Sequence, residues 1–280
     1  MNKPAILRAI PISLLIIVCL ILGGIIVARN MEEAYVPTMA DGEDTTLPEE
    51  SDPADSLPPE TEPPETEPPQ TEPVVIASKG LEFTSLGNGT CYVSGVGSCR
   101  DSFIILPESS PYGERVIGIG DYAFRNCKFV KCVELNDNLR FVGAYAFYGT
   151  EIVNAYIPAE LEQIGDFAFC SCPELENISV DPQNSFYSDI DGVLYNKDMT
   201  AIICYPQGKS DNTIYLSSLV SEVKTMAFYN CSLLKIINFD GPVSSFRRIK
   251  VGAGNESFES AVVTYVSGGA YQEGTQIGEK

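Results

Sequence analysis

The sequence predicts a repeat solenoid, mainly β, in which units of about 23 residues join strands through short turns or helical return segments. It also predicts an N-terminal transmembrane helix and a disordered linker ahead of the solenoid. Three observations lie behind this reading. A twenty-residue stretch near the N-terminus carries no charge, the next segment is acidic and proline-rich, and four later segments share one template. The 280 residues divide accordingly into 1–30, 31–78, 79–266 and a flexible tail, 267–280.

Ala9 to Ala28 reads AIPISLLIIVCLILGGIIVA. At about 1.5 Å per residue, a helix of that length spans roughly 30 Å, the thickness of a bilayer's hydrocarbon core. Lys3 and Arg8 precede it, whereas only Arg29 separates it from Glu32 and Glu33. The positive-inside rule then keeps the N-terminus in the cytoplasm and exports the rest. The expected location is the cell membrane, crossed once through residues 9–28, with the repeats outside. A cleaved signal peptide and a secreted product form the alternative. Its apolar core usually runs about 7–15 residues, and Ile26 fits poorly into a small-residue cleavage pattern.

Residues 31–78 contain 14 acids and no Lys or Arg, and ten of the 19 prolines lie between Pro37 and Pro73. TEPP-type units recur there. So few apolar residues cannot offset the entropy of ordering, and like charges repel, so this segment is expected to stay extended and solvated. At about 3.1 Å per residue it makes a stalk reaching roughly 100 Å.

The repeats begin at Val116. They read VIGIGDYAFRNCKFVKCVEL (116–135), LRFVGAYAFYGTEIVNAYIP (139–158), LEQIGDFAFCSCPELENISV (161–180) and VSEVKTMAFYNCSLLKIINF (220–239). Their Ala-Phe pairs end at Phe124, Phe147, Phe169 and Phe228, spaced by 23, 22 and 59, the last being one period plus an insertion. Each unit closes on L-x-x-I-x-I, whose alternation marks a short strand with one buried face. Ile119, Val142, Ile164 and Val223 supply the apolar face of the return segment. One such unit cannot bury both faces alone, so the units must stack.

This template, I-G-x-x-A-F-x-x-C-x-x-L-x-x-I-x-I-P, resembles the BspA-like, or Treponema-type, leucine-rich repeat of bacterial surface proteins. The resemblance covers roughly residues 80–266. It takes in a lead-in hairpin at Leu81–Glu108, a hairpin inserted between units at 185–209, and a terminal unit at Phe239–Tyr265 with Phe246 where a Trp often stands. It implies a leucine-rich repeat ectodomain and a role in adhesion. Two departures stand out: Thr150 occupies a Cys position, and Lys224 occupies the Gly position.

Several chemistries are excluded. No His is present, which removes Ser-His and Cys-His nucleophile pairs and His metal sites. Asp189, Asp191, Asn196 and Asp198 lack the spacing of a calcium loop and read as hairpin turn residues. No catalytic residue, cofactor or metal site is expected, and the reading is non-enzymatic. The region after the stalk holds 24 acids against 15 bases, which argues against a nucleic-acid partner. Cys127, Cys172 and Cys231 occupy the repeat position and are expected as buried free thiols. Cys91 and Cys99 flank a turn-like SGVGS and form the disulfide candidate.

Outward positions of the strands remain free to vary without harm to the core. By alternation they include Glu134, Tyr156, Ser179 and Asn238, joined just upstream by Lys131, Asn154, Glu176 and Lys235. This mixed polar strip with one aromatic anchor suits a protein or glycan ligand at the cell surface, and it suits a merely solvated sheet face equally. A structural module docking to other envelope proteins is the alternative role.

Overall fold

The computed structural model describes residues 77–267 and 270–276, all within the unit Ile76–Lys280. The expected membrane helix, and the expected stalk apart from residues 77 and 78, lie outside the described residues. Among the described residues no helix is long and apolar enough to cross a membrane.

The chain enters the fold at Ser78, whose N–H donates to Ile105 O (3.0 Å) and whose Oγ accepts from Ile105 N–H (3.1 Å). The first strands are β1 (Glu82–Ser85), β2 (Thr90–Gly95), β3 (Phe103–Ile105) and β4 (Arg115–Ile119). The repeats supply β5 (Cys132–Glu134), β6 (Phe141–Val142), β7 (Asn154–Ile157), β8 (Gln163–Ile164) and β9 (Asn177–Val180). Next come β10 (Tyr187–Ile190), β11 (Val193–Asn196), β12 (Ala201–Cys204) and β13 (Thr213–Ser217). β14 (Glu222–Val223), β15 (Ile236–Asp240), β16 (Lys250–Val251), β17 (Val262–Ser267) and β18 (Ala270–Gln276) complete the fold.

These strands build two walls. In the return wall β2, β4, β6 and β8 run parallel, with β1 antiparallel at its end. β12, β14 and β16 continue the same scheme after the insertion. In the outgoing wall β3 pairs with β5, β7 with β9, and β13 with β15 and β17, all parallel. Parallel pairing follows from the repeat itself, because each layer traverses the same path one strand spacing further on.

The corners explain why the return segments are turns and not helices. Tyr122, Tyr145, Phe167 and Met226, two residues after the Gly position, all adopt left-handed backbone, with φ of 60°, 55°, 61° and 58°. For bulky residues this region is costly, by about 1–2 kcal/mol each. It turns their N–H groups out of their own layer and into the next: Tyr122 donates to Ala144 O and Tyr145 to Asp166 O, both at 2.9 Å. Phe124 and Phe147 likewise donate to Ala146 O and Ala168 O (2.8 and 2.9 Å). The described helices are single turns, Val243–Phe246 and Glu256–Glu259, in the terminal unit.

Behind the corners runs a stack of buried rings. Phe124 lies 5.4 Å from Phe147, and Phe147 lies 5.4 Å from Phe169, with nearly parallel planes. Past the insertion Tyr205, Phe228 and Phe258 resume the stack at 5.0 and 4.9 Å. β11 and β12 divide the core into two clusters: Leu194 and Cys204 face one, while Val193, Tyr195, Ile202 and Tyr205 face the other. Phe246 fills the terminal unit between Phe239, Phe258 and Tyr265.

Asp191 and Gly192 form the left-handed turn between β10 and β11. Asp189 accepts the Val180 N–H and Asn196 accepts that of Ala201, each at 2.8 Å, so these side chains serve the hairpin. Thr150 is fully buried and donates to Phe147 O at 2.8 Å, the same carbonyl that the Cys172 thiol approaches at 3.1 Å. The hydroxyl occupies the thiol's position but bonds within its own layer, whereas the Cys172 and Cys231 thiols reach the carbonyls of Phe147 and Tyr205 in the preceding layer. Cys172 and Cys231 are buried, and Cys127 is only half-buried. Burial, followed by the neighbouring Cys172, pushes the Cys170 thiol up to about 12.

Two expectations are corrected. Cys91 and Cys99 are both free and buried, and the Cys91 thiol lies 3.6 Å from Glu114 O. Cys91 pairs with Ser85 while Gly95 pairs with Glu82, and Cys99 turns back beyond that far end, where Ser98 N–H meets Gly80 O. Four strand residues separate the ends by about 13 Å, too far for a disulfide. Nor is 267–280 wholly a flexible tail: residues 270–276 form β18, antiparallel to β17. A parallel stack ends with an open strand edge, and this added strand covers it.

Because Phe147 is sandwiched between two rings, Phe147→Ala removes two contacts and leaves a cavity. The expected loss is about 3–5 kcal/mol, measured as a shift of the urea unfolding midpoint.

Candidate binding face

In the outgoing wall, alternate residues point into the core. Val133, Ala155, Ile178, Ile214 and Ile237 take the inward row, and all but the partly buried Val133 are buried. The remaining residues point outward. Register places Glu134 beside Ile105, Tyr156 beside Ser179, and Tyr215, Asn238 and Thr264 in one line. Glu134, Tyr156, Ser179 and Asn238 therefore stand on the outer face, each half-buried.

The four upstream residues do not behave alike. Lys131, Glu176 and Lys235 are exposed and sit just before their strands. Val153 N–H donates to Lys131 O (3.1 Å) and Glu176 N–H to Val153 O (2.8 Å), so Val153 is the equivalent of Lys131. Asn154 lies one position later, inside β7 and opposite Asn177. The second unit is one residue shorter after its corner, which displaces a residue picked by polarity alone.

The strip is also not continuous. The insertion parts β9 from β13 and opens a cleft of about 460 Å³, lined by Asn177, Ile190, Asp191, Tyr195, Lys209 and Tyr215 among others. Glu134, Tyr156 and Ser179, with Lys131 and Glu176, form one patch. Tyr215, Asn238 and Thr264, with Lys235, form the other. Tyr215 is 63% exposed at the cleft edge and was missed by the repeat count, because it falls between the inserted hairpin and the fourth unit. The alternation in Thr213–Ser217 was the available signal.

The first patch is acidic. Burial, then the neighbouring Asp137, raises the Glu134 carboxyl above its ordinary value. The Tyr156 hydroxyl donates to Asp181 Oδ2 at 2.6 Å, and burial followed by this carboxylate raises the phenol. Lys131 pairs with Glu151 on the exposed rim, an ion pair worth little in water. In the second patch Asn238 Oδ1 accepts from the Thr264 hydroxyl at 2.6 Å, and Lys235 Nζ donates to Ser232 O at 2.6 Å. Chemically, the first patch offers a partly desolvated carboxyl and Tyr156, and the second an exposed Tyr215 beside Asn238.

Residues 104–203 and 207–253 match the family model described as BspA type leucine rich repeat region, in six copies. No functionally curated protein matches the chain. Among solved structures, the chain is similar to a leucine-rich repeat protein of Eubacterium ventriosum, at 18% identity over 63% of this chain and 67% of that one, TM-score 0.40. The leucine-rich repeat protein of T. pallidum gives 18% identity over 63% and 81%, TM-score 0.40. A leucine-rich cell surface protein of Faecalibacterium prausnitzii gives 18% over 66% and 74%, TM-score 0.33.

The raised carboxyl has a consequence for stability. A carboxyl raised on folding prefers to be protonated in the folded state, so its charge costs stability above its folded pKa and costs nothing below the unfolded value. Glu134→Gln is therefore expected to raise the melting temperature at pH 7, with the gain fading at pH 3.5. Equal gains at both pH values would contradict the assignment.

Proposed function

The chain belongs to the BspA-type leucine-rich repeat family, and from that premise we propose that it is a non-enzymatic binding protein of the cell surface. In this reading the outgoing wall recognises a protein or glycan, in an adhesion-like role. The observation that carries it is the outer row on either side of the cleft, where Tyr156 and Tyr215 stand among polar side chains. Tyrosines, here the half-buried Tyr156 and the exposed Tyr215, are among the residue types that concentrate binding energy at recognition surfaces. Glu134, Asp137 and Asp181 around Tyr156 favour a partner with Lys or Arg at its contact surface, by charge complementarity. A glycan would use the same acceptors through its hydroxyls. The uncleaved anchor at 9–28, the stalk at 31–78 and the exported orientation complete this reading.

Purified residues 76–280 offered to immobilised matrix proteins, glycans and envelope extract provide the test. Saturable binding is expected, lost in the folded triple variant Lys131→Glu, Glu134→Lys, Tyr156→Ala. Tyr215→Ala alone is expected to weaken it about tenfold, the scale of a single hot-spot side chain. Undiminished binding by both variants moves the site off this wall. Retention of an envelope protein alone would instead indicate an assembly module.

A further inference from the structure

The return wall is missing a corner. Elsewhere each layer passes the same main-chain bonds to the next: Val142 O accepts Gly165 N–H (2.7 Å), and Phe147 N–H donates to Ala168 O (2.9 Å). In the inserted layer Ile202 O accepts Lys224 N–H (2.9 Å), and Tyr205 N–H donates to Ala227 O (2.8 Å). Four residues separate Val142 from Phe147, but only Ile203 and Cys204 separate Ile202 from Tyr205. The layer is two residues short, and the excursion made by the other corners is absent from it.

The absence leaves a slot of about 330 Å³ between the corner at Asp166–Phe167 and the corner at Lys224–Thr225, floored by Ile203, Cys204 and Cys170. Among the described residues, the N–H groups of Phe167 and Phe169 and the carbonyl of Thr225 find no partner, whereas the N–H groups of Tyr145 and Phe147 and the carbonyls of Ala144, Asp166 and Ala253 at the equivalent positions are bonded. Other ladder ends are closed by side chains. The Tyr187 hydroxyl accepts the Ile164 N–H, and Asn255 Oδ1 accepts that of Phe228, both at 2.8 Å. At its inner end the slot stops where the Cys170 thiol reaches Met226 O at 3.5 Å.

The sequence records the same gap. A Cβ at Gly143 would lie 2.4 Å from Asp121 N, at Gly165 2.3 Å from Ala144 N, and at Gly252 2.5 Å from Thr225 N. At these three positions the preceding corner presses against the glycine, and at Gly120 the Tyr92 ring does. Lys224 stands at the equivalent position, and a side chain fits there because no corner lies in front of it.

We propose that this slot takes an extended peptide of a partner protein, which supplies the missing corner by main-chain hydrogen bonds. The peptide offers carbonyls to Phe167 and Phe169 and an N–H to Thr225, the alternation that an extended main chain presents on its two edges. Ile203 and the two thiols on the floor select a small apolar side chain. Asp166 stands on one rim and Lys224, paired to Glu222 at 2.9 Å, on the other, which leaves the slot a slight excess of negative charge. This site is separate from the outgoing wall and does not depend on the reading proposed for it.

The probe is a synthetic peptide of residues 141–147, FVGAYAF, whose own segment in the fold accepts the Tyr122 and Phe124 N–H groups at Ala144 O and Ala146 O and donates the Tyr145 N–H to Asp166 O. Amide exchange is followed in the full chain. Without peptide, Phe167 and Phe169 are expected to exchange at least tenfold faster than Tyr145 and Phe147. Saturating peptide is expected to slow both at least tenfold. N-methylation of the peptide's Tyr amide, the donor for Thr225, is expected to weaken binding at least tenfold, and Tyr215→Ala to leave it unchanged. Inserting Gly-Asp after Ile203 together with Lys224→Gly fills the slot from within and is expected to abolish the response. Phe167 and Phe169 already protected without peptide, or unaffected by it, overturn the proposal. So does equal binding of the methylated peptide, a measurement that needs no altered protein.

Discussion

Everything in this fold hangs on the hydrogen bonds that pass from one corner to the next. A left-handed residue at each corner turns its N–H out of its own layer, and the corner above must present a carbonyl at the right height to receive it. A buried amide left unmade costs about as much as several good contacts gain, so successive layers are held to one path. That requirement explains the Ala that follows, the Gly that admits the neighbouring corner, and the Phe that stacks behind it. The ring column is therefore a product of the ladder as much as of hydrophobicity. Rings repeat at 5.4 Å because the backbone repeats at nearly that spacing.

The inserted hairpin gains its importance from the same constraint. β11 and β12 divide the core, carrying side chains to both clusters, and the stack resumes beyond them with Tyr205 in the place of a repeat Phe. The insertion cannot reproduce a full layer on either wall. On the outgoing wall it parts β9 from β13, and on the return wall it omits a corner. Two clefts thus arise from one interruption. Both sit where regular main-chain pairing stops, which is where a repeat protein can acquire features that its repeats do not encode.

Polar side chains show how such interruptions are contained. Asn255, almost fully buried, accepts the Phe228 N–H and donates to the carbonyls of Lys224 and Gly252, replacing a stretch of ladder with one amide. Asn184 does comparable work, holding the carbonyls of Pro158 and Leu161 and the N–H groups of Phe186 and Tyr187. Nothing in the repeat template calls for an asparagine at either place. Their roles follow from the geometry of the ends they close.

The sequence by itself determined the period, the layer and the inward row. The spacing of Phe124, Phe147 and Phe169 marked one path traversed repeatedly, and the L-x-x-I-x-I endings marked a strand buried on one face. Those signals are legible because each is a local consequence of one residue's environment, repeated in each layer. Outward placement of Glu134, Tyr156, Ser179 and Asn238 followed from alternation for the same reason. What the tertiary structure alone decided was everything that depends on counting across an interruption. It moved Asn154 out of line through a one-residue deletion, split the strip at β9 and β13, brought Tyr215 onto the face, and kept Cys91 apart from Cys99. It also gave Lys224 its meaning: a side chain at a glycine position is explained only by what is missing from the neighbouring layer, and sequence order does not say which layers are neighbours.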